Sequence, residues 1–559
     1  MKSTQEGKEK VYKPILAGTQ DWPVVRLSNN RKQFIEQITD EAFQKLIRTK
    51  QKHGLREELE TTLYLEKLRI KKNPWAVDPE DDYSFWNTIK HELVELVGKN
   101  NTKEKEEEIL KRIISRYANE IAGNFKKSRY KLAREIIKFG FRRLLNATRI
   151  GGIKALFKSK YKLNDKLQIK GKAKQLRKLA KIGTVVMVPT HFSNLDSILI
   201  GWIIHVLGLP AFIYGAGLNL FNIRILAYFM ESLGAYKVDR RKKNPIYLET
   251  LKTYSKVAIE EGAHSLFFPG GTRSRSGKIE NSLKLGLLGT AMEAQRSIFT
   301  RHPNNDGRKI FVVPVTINYN FVLEAPNLIK DYLSIKGQER YYVENDEYST
   351  SYKMLKFLVK FFTKGSNISV SIGNAMDLLG NYVDDHGNSV DNKGRIINTR
   401  HYFTSNGEIT VDEQRDQEYT RKLSGIIIKE FHRINRVFAS HVVAFVGFNI
   451  WRKQYQKLDL YDFLRLPEED LEISYDYFRD EFSKIRDYIF VLKKKNKVGI
   501  AGHLKGDIDE VISMGISNVG MYHSKRPLLL VKGKIITQDL NTLYYYHNRM
   551  DGYDLDKKF

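Results

Sequence analysis

A histidine and an aspartate lie close together in the stretch VVMVPTHFSNLDSILIG, residues 185–201. Its apolar start predicts a buried strand over Val185–Val188, and the apolar residues after the aspartate predict a helix. His191 and Asp196 are therefore expected at the carboxyl end of a strand, where open α/β sheets bind their ligands. A carboxylate that accepts a hydrogen bond from one imidazole nitrogen leaves the other nitrogen available to remove a proton from an alcohol.

The spacing by itself says little, because the chain contains it twice. His386 and Asp391 are also separated by four residues, inside the polar, glycine-bearing stretch DDHGNSVDNKG. No apolar run precedes this second pair, so we predict that it lies in a loop. The strand–turn–helix context is what favours a general base at the first pair, and a purely structural role for a pair in that context stays an open alternative.

Three further segments follow, and two of them add residues that could bind a phosphorylated substrate. Arg240 ends the stretch GAYKVDR, and Arg273 and Arg275 lie in LFFPGGTRSRSG. A glycine-rich turn can point backbone N–H groups at an anion, and one planar guanidinium group can donate to two phosphate oxygens at once. Loop arginines are often only solvated, but after a buried strand they predict a phosphate site. The third segment, FVVPVTINY, is a predicted strand with Pro314 inside it.

The rest of the chain supplies the elements that would position these residues. Short β-rich runs alternate with helical patterns between about residues 165 and 430, which predicts an α/β fold with a mixed, largely parallel sheet flanked by helices. Ser193 or Asn194 is the predicted N-cap of the helix that follows the first strand. The predicted strands are Thr184–Val188, Ala211–Tyr214, Ser265–Phe268, Ile310–Ile317 and Ile368–Ile372.

The pattern of elements divides the 559 residues into three regions. Residues 1–160 are predicted to be an N-terminal helical, basic region, residues 161–430 the α/β domain, and residues 431–559 a mixed C-terminal extension with one strand-like run, RPLLLVKGKIIT. An apolar fraction of 42% excludes a largely disordered chain. The sequence has no cysteine, which excludes disulfides and a cysteine nucleophile, and its scattered histidines predict no metal site.

A formal net charge of +29 predicts an acidic partner: nucleic acid, anionic lipid or a polyanionic substrate. Residues 126–162 carry 13 lysines and arginines and one glutamate, with apolar residues at helical spacing between them. This segment is expected either to lie on an anionic membrane or to pack on its own domain with solvated charges. The uncharged stretch Ile198–Phe221 is long enough to span a bilayer, but Pro210 and its glycines favour a helix followed by a strand. The charged N-terminus predicts no signal peptide.

Taken together, the four segments resemble the motifs of the glycerolipid acyltransferases, which include glycerol-3-phosphate and lysophosphatidate acyltransferases. THFSNLD, GAYKVDR, FFPGGTRSR and VVPVTINY occur in that family's order between Thr190 and Tyr319. The resemblance implies that His191 is the catalytic base and that Asp196 orients it. It implies the following further roles: phosphate binding by Arg240, Arg273 and Arg275, a turn formed by Gly271 and Thr272, and an acyl site shaped by the motif that contains Pro314.

One position departs from the family pattern. The third motif usually reads Phe-x-Glu-Gly-x-Arg-Ser, and this chain has Gly270 at the position of the glutamate. Either another group supplies the function of that carboxylate, or the acceptor differs.

The long N-terminal region and the long tail are more similar to the large bacterial and mitochondrial glycerol-3-phosphate acyltransferases than to the small lysophosphatidate enzymes. The resemblance implies transfer of a fatty acyl group from acyl-CoA or acyl carrier protein to the sn-1 hydroxyl of glycerol 3-phosphate, the first step of phospholipid synthesis. It implies no cofactor, and a peripheral or monotopic place on the cytoplasmic face of an anionic membrane.

Several alternatives stay open. The acceptor could be 1-acyl-glycerol 3-phosphate or dihydroxyacetone phosphate. Outside the enzymes, the alternatives are a non-catalytic basic membrane scaffold and a nucleic-acid-binding protein. The sequence has no zinc-finger, RNP or helix–turn–helix signature, which disfavours nucleic acid as the partner.

Overall fold

The computed structural model describes residues 12–50, 54–132, 135, 167–218, 221, 224–336 and 368–559. Most of the basic segment 126–162 lies outside these residues, and so does the predicted boundary near residue 160. The expectations about that segment therefore stay predictions.

The helices are α1 (Pro23–Asn29), α2 (Arg31–Lys50), α3 (Leu55–Lys72), α4 (Asp82–Glu95), α5 (Lys103–Ile121), α6 (Ala173–Ile182), α7 (Asp196–Val206), α8 (Arg224–Ser232), α9 (Pro245–Glu260), α10 (Leu285–Arg301), α11 (Ala325–Lys336), α12 (Glu413–Ile434), α13 (Ala439–Gln454), α14 (Leu460–Phe463), α15 (Tyr475–Lys494), α16 (Ile508–Asn518) and α17 (Leu540–His547).

The strands are β1 (Leu167–Gly171), β2 (Thr184–Pro189), β3 (Ile213–Gly217), β4 (Ala235–Val238), β5 (Ser265–Leu266), β6 (Ile310–Tyr319), β7 (Ile368–Ile372), β8 (Tyr382–Val383), β9 (Ser389–Val390), β10 (Ile396–Ile397), β11 (Thr404–Ser405), β12 (Glu408–Ile409), β13 (Arg436–Val437), β14 (Glu472–Ser474), β15 (Gly499–Ile500), β16 (Leu529–Val531) and β17 (Lys534–Ile536).

A seven-stranded sheet in the order β1-β7-β6-β2-β5-β3-β4 forms the centre of the fold. Every neighbouring pair is parallel except β6 and β7, so β1 and β7 run against the other five strands. All residues of β2 and β6 are buried, as expected for strands covered by helices on both faces. The predicted fold class, a mixed, largely parallel sheet flanked by helices, is confirmed.

The predicted strands agree with the observed ones except near their ends. Ile368–Ile372 is β7 as predicted, whereas the strand predicted at Ala211–Tyr214 begins two residues later, at Ile213, and ends at Gly217. The run RPLLLVKGKIIT is not one strand but the hairpin β16–β17, because Lys532 and Gly533 form a turn with positive φ. Neither predicted N-cap of α7 is its N-cap, which is Leu195.

Helices α2 and α5, which precede the sheet in the chain, pack against α9, and the cluster they form includes residues of β3 and β4. Helix α5 buries Ile109, Ile113 and Tyr117 and exposes several of its charged residues, such as Lys103 and Lys111, which is the pattern of an amphipathic helix. These residues share a hydrophobic cluster with α2 and with the apolar side of α9. Helix α9 begins at Pro245, and the side chain of Asn244 caps it by accepting the N–H of Tyr247.

The helices that follow the sheet in the chain belong to the same hydrophobic core as its strands. Helix α13 is buried along nearly its whole length, including the apolar run Val442–Ile450, which is too short to span a bilayer. Among the described residues, no helix combines the length and the hydropathy that a membrane span requires. The predicted boundary at residues 430 and 431 falls inside α12, so the division between the α/β domain and the extension stays a prediction.

Candidate active site

The turn between β2 and α7 is attached to the neighbouring strand β6. The backbone N–H of Thr190 donates to the carbonyl of Val315 at 3.0 Å, and its hydroxyl oxygen accepts the N–H of Ile317 at 3.2 Å. Thr190 is fully buried. The residues that follow it therefore begin from a fixed point at the carboxyl edge of the parallel strands, which is where the sequence predicted a ligand site.

His191 and Asp196 contact each other across this turn. Nδ1 of His191 lies 2.8 Å from Oδ2 of Asp196, whose side chain is inaccessible to solvent. The same oxygen accepts the backbone N–H groups of Phe192 at 2.6 Å and Ser193 at 2.9 Å, and Oδ1 accepts the hydroxyl of Tyr319. Both carboxylate oxygens are thus hydrogen-bonded. These hydrogen bonds offset the cost of burying Asp196, and the one to Nδ1 fixes the orientation of the imidazole.

The ring of His191 leaves its second nitrogen available. Its side chain is 18% exposed, and the ring stacks on Phe268 with centroids 4.1 Å apart. Among the described residues, none makes a hydrogen bond to Nε2. An imidazole held at Nδ1 by a carboxylate and open at Nε2 is the arrangement of a general base.

Tyr319 is a part of this site to which the sequence analysis gave no role, although the residue ends the fourth motif. It is the last residue of β6, and burial together with the charge of Asp196 raises the pKa of its hydroxyl well above the ordinary value. The hydroxyl therefore stays protonated and acts as a donor to Asp196.

A tight turn after β5 brings the third motif beside the histidine. The N–H of Gly271 donates to the carbonyl of Phe268 at 3.0 Å, and Gly271 has a φ of 77°, which favours glycine. Three residues later, the N–H of Ser274 donates to the carbonyl of His191 at 2.7 Å. The first and third motifs are therefore in direct contact, and Arg273 and Arg275 are the chain neighbours of the residue that contacts His191.

Arg240 joins the same loop from the end of β4. Its Nη2 donates to the carbonyl of Gly271 at 2.9 Å. The pKa of Arg240 is lowered by desolvation and by the positive charges of Arg273 and Arg275, although part of the side chain reaches solvent. The three guanidinium groups, called the arginine cluster below, therefore lie close enough to repel one another. Such a cluster attracts an anion.

Within the arginine cluster, Arg273 has a buried acidic neighbour that the sequence analysis missed. Its Nη1 lies 3.5 Å from Oε1 of Glu324, a side chain only 3% exposed. Glu324 also accepts the N–H of Asn194 at 2.9 Å and the hydroxyl of Ser193. Burial raises the pKa of Glu324, and the charge of Arg273 opposes that rise. Glu324 thus connects Arg273 to the turn that carries the dyad.

The other predicted site residues occupy different surroundings. Thr272 and Arg275 are exposed on the loop. Pro314 is buried inside β6, level with Val188 of β2, and precedes the part of β6 that pairs with β7. A residue without an N–H is accommodated there because the β6–β7 ladder starts only at Val315. The expected role of Pro314 in shaping an acyl site stays a prediction.

A guanidinium from the end of the chain lies beneath the dyad. The guanidinium carbon of Arg549 is 3.6 Å from the ring centroid of Phe192, and Nη2 donates to Asn318 at 2.9 Å. Arg549 is only 4% exposed, and burial lowers the pKa of its guanidinium. No sequence signal marks Arg549, because it lies far along the chain from the four motifs.

Helix α17 places Arg549 by packing directly on the third-motif loop. A Cβ at Gly277 would lie only 2.1 Å from the carbonyl oxygen of Tyr545, and Nδ2 of Asn548 donates to the carbonyl of Ser276 at 2.9 Å. Lys278 and Asp551 add an ion pair at 3.0 Å. Gly277 is therefore needed for this close approach.

The side chains at the site suit proton transfer and anion binding. In the part of the chain that the structure describes, no group of three or more histidine, aspartate or glutamate side chains is arranged to hold a metal ion. The site consists of an imidazole held by a carboxylate, a cationic loop beside it and the edge of the parallel strands.

Sequence comparison assigns a class to the segment that contains the dyad and the arginine cluster. Residues 170–318 match the family described as Acyltransferase. The family resemblance predicted from the four motifs is confirmed for this segment: residues 170–318 form an acyltransferase domain.

Individual relatives point to glycerolipid enzymes. A protein named glycerol-3-phosphate acyltransferase from Pseudoalteromonas atlantica is 29% identical over 170 residues, which cover 30% of this chain and 20% of that protein. One with the same name from Glaesserella parasuis is 31% identical over 170 residues, covering 30% and 20%. A human dihydroxyacetone phosphate acyltransferase is 28% identical over 155 residues, covering 27% and 21%. The matched stretches span about a fifth of the length of these relatives.

Proposed function

We propose that this protein transfers a fatty acyl group from a thioester donor to the sn-1 hydroxyl of glycerol 3-phosphate. The single observation that carries the proposal is the contact of His191 with buried Asp196 directly beside the arginine cluster. The acyltransferase domain and the names of two relatives support the same reaction.

In the proposed reaction, Nε2 of His191 removes the proton of the acceptor hydroxyl as the oxygen attacks the thioester carbonyl carbon. The C–O bond forms, the tetrahedral intermediate collapses, the C–S bond breaks, and the imidazolium returns the proton to the leaving thiolate. Asp196 stabilises the imidazolium while the proton is held there. A general base of this kind contributes roughly 10²–10⁴-fold to the rate.

The arginine cluster would hold the phosphate of the acceptor. Arg240 and Arg275 reach solvent, whereas Arg273 is 20% exposed and already faces Glu324. We therefore assign the direct phosphate contacts first to Arg240 and Arg275, with Arg273 completing the site. Fixing the phosphate would place the hydroxyl at Nε2, and such orientation lowers the barrier to reaction.

The donor and the location belong to the proposal as well. Acyl-CoA and acyl carrier protein are both acidic, and the +29 charge of the chain suits either one as well as an anionic membrane surface. We propose peripheral association with the cytoplasmic face of such a membrane, where the lipid product must be delivered. The proposed steps use no cofactor.

An acceptor screen with the purified full chain tests the function. The protein is bound to anionic vesicles and supplied with radiolabelled acyl-CoA or acyl carrier protein, together with glycerol 3-phosphate, dihydroxyacetone phosphate or 1-acyl-glycerol 3-phosphate. We expect the highest kcat/KM with glycerol 3-phosphate. Absence of transfer to all three acceptors from both donors would refute acyltransferase activity on this substrate class.

Dihydroxyacetone phosphate is the second candidate acceptor. The observation that favours it is the human relative, which is named for that substrate and matches over a similar share of the chain. The two acceptors differ at C2, a hydroxyl in one and a carbonyl in the other, so the ratio of their kcat/KM values decides between them.

A further inference from the structure

A glutamate next to the dyad has no role in the proposed reaction. Glu280 lies in the loop between β5 and α10, and its Oε1 accepts the backbone N–H of His191 at 3.2 Å. The residue is partly exposed, but Oε2 is shielded from solvent and has no hydrogen-bond partner among the described residues. Burial raises the pKa of this carboxyl to about 7, against the effect of its hydrogen bond with His191.

The carboxylate of Glu280 fills the space where a side chain at residue 270 would be. A Cβ built on Gly270 would lie 3.0 Å from Cγ of Glu280 and 3.1 Å from its Oε1. Gly270 does not have the positive φ of its neighbour Gly271. Its backbone would therefore accept other residues, and it is the side chain of Glu280 that leaves little room for a Cβ there.

The backbone of His191 is held on both sides by this loop. Its N–H donates to Glu280, and its carbonyl accepts the N–H of Ser274 at 2.7 Å. The side chain is separately held by Asp196. Removing Glu280 would leave a partly buried N–H without its acceptor and release one of these constraints.

Two charges of opposite sign act on Glu280. The positive charge of Arg549 lowers the pKa of Glu280, and the negative charge of Asp196 raises it. Arg549 thus offers a counter-charge on the buried side of the carboxylate, and it comes from the segment after α17 rather than from residues 170–318.

We infer that Glu280 is a positioning residue for the dyad. Its carboxylate takes the place of the glutamate side chain that the family motif has at position 270. It acts through the backbone of His191, and Gly270 is the residue that makes room for it. The inference rests on the proposed function, because it assigns Glu280 to the geometry of that reaction.

The test is an exchange of the carboxylate between the two positions. Four variants are compared with the wild type: Glu280→Ala, Gly270→Glu, the double variant Gly270→Glu/Glu280→Ala, and the control Gly270→Ala/Glu280→Ala, which fills the space without a carboxylate. A misplaced reacting group can cost about 100-fold in rate, so we expect Glu280→Ala to lower kcat by about 10- to 100-fold, with little change in the acceptor KM.

Gly270→Glu alone should also lower kcat, because its side chain meets Glu280. We expect the carboxylate double variant to regain at least about fivefold over either single variant, and the alanine double variant to regain nothing. A merely structural role for Glu280 predicts no difference between the two double variants. Equal kcat in those two proteins would therefore overturn the inference, and so would full kcat in Glu280→Ala.

Hydrogen exchange gives a measurement that does not depend on activity. The amide of His191 should exchange faster in Glu280→Ala and recover its protection in the carboxylate double variant. If the wild type transfers no acyl group, the proposed function fails, and unchanged exchange in Glu280→Ala would still refute the placement of Glu280. If the wild type is active and exchange is unchanged, the inference alone fails.

Discussion

The spacing of a histidine, four residues and an aspartate occurs twice in this chain, and the side chains of the two pairs are arranged in opposite ways. In the first, buried Asp196 accepts from the ring of His191. In the second, His386 is exposed, and Asp391 accepts the backbone N–H of Arg395 at 2.9 Å and its Nε at 2.7 Å. The same spacing therefore gives a dyad within one turn, whereas strand β9 separates His386 and Asp391 into two successive hairpin turns. The prediction of a loop for the second pair is wrong in this respect, because β8 and β9 are short strands too weakly apolar to be recognised in the sequence.

The position of unpaired backbone N–H groups explains the difference. Asp196 begins helix α7, and the N–H groups that it accepts belong to Phe192 and Ser193, which precede it and follow the histidine directly. Asp391 begins a turn, and the N–H groups that it accepts come after it. An aspartate at the start of a helix is thus turned back toward the histidine, and one at the start of a turn is directed away from it.

The largest effect should separate the two histidines. We expect His191→Ala to lower kcat for acyl transfer by about 10³-fold with unchanged folding, because the general base is removed. The matched variant His386→Ala should keep wild-type kcat. Radiolabelled acyl transfer and circular dichroism measure both. A His191→Ala protein with more than a tenth of wild-type activity would contradict the dyad.

The two aspartates provide the next comparison. Asp196→Asn should lower kcat by about 10²- to 10³-fold, since the amide cannot stabilise the imidazolium and favours the wrong tautomer. Asp391→Asn should leave kcat unchanged and shift Tm by less than about 2 °C, as for most surface substitutions. Equal losses of activity in the two variants would show that the spacing, rather than its context, carries the function.

A smaller effect is expected for an arginine near each pair, Arg275 near His191 and Arg395 near Asp391. Arg275→Gln should raise the KM for glycerol 3-phosphate by about tenfold, the equivalent of one charge-assisted hydrogen bond, with the donor KM unchanged. Arg395 forms an ion pair with Asp391 instead, so Arg395→Gln should leave both constants unchanged. A rise in the donor KM alone on changing Arg275 would reassign the arginine cluster to the acyl donor.

The smallest effect concerns histidines that are buried without a carboxylate. Burial and the charge of Arg308 lower the pKa of His264 to about 3, and its Nδ1 accepts the N–H of Val185. The unfolded chain takes up a proton near pH 6.5 and the folded chain does not, so stability is lost as the pH falls below that value. Between pH 7.5 and 5.5, His264 should cost about 1.4 kcal/mol of unfolding free energy.

Urea unfolding at the two pH values measures this cost. The loss of stability should be smaller by about 1.4 kcal/mol in His264→Gln than in the wild type. It should not vanish there, because burial also lowers the pKa of His441 to about 3 and that of His523 to about 4. The matched variant His386→Gln, whose replaced ring is exposed, should lose as much stability as the wild type. An equal loss of stability in the wild type and in His264→Gln would show that His264 does not contribute to the loss of unfolding free energy at low pH.

The strands and the dyad were predictable because their signals are local. An apolar run such as that of β2 is buried as a unit, and Pro189 ends it, so the place of His191 at the sheet edge follows from a short stretch of sequence. The strand at Ile213 was misplaced by two residues because the preceding apolar residues, including Ala211, are equally buried but lie outside the ladder. Burial and pairing need not end at the same residue.

The supporting residues were not predictable, because their contacts join distant parts of the chain. Glu324 and Arg549 reach the site only after β6 and α17 have packed, and neither belongs to a pattern that sequence alone reveals. Glu280 had one indirect signal, the glycine at position 270. That glycine indicated that a carboxylate was missing from its usual place, but only the packed loop shows which residue fills the space.

The contact between Gly277 and Tyr545 has a consequence for the order of events during synthesis. Residues 268–277 are synthesised long before Tyr545. In a nascent chain, the dyad and its arginines therefore lack their contacts with residues 545–549. Only when residues 545–549 emerge can the aromatic face of Phe192 receive its guanidinium. The turn of the dyad and the third-motif loop therefore reach their full set of contacts only after residues 545–549 have been made, well after the motifs themselves.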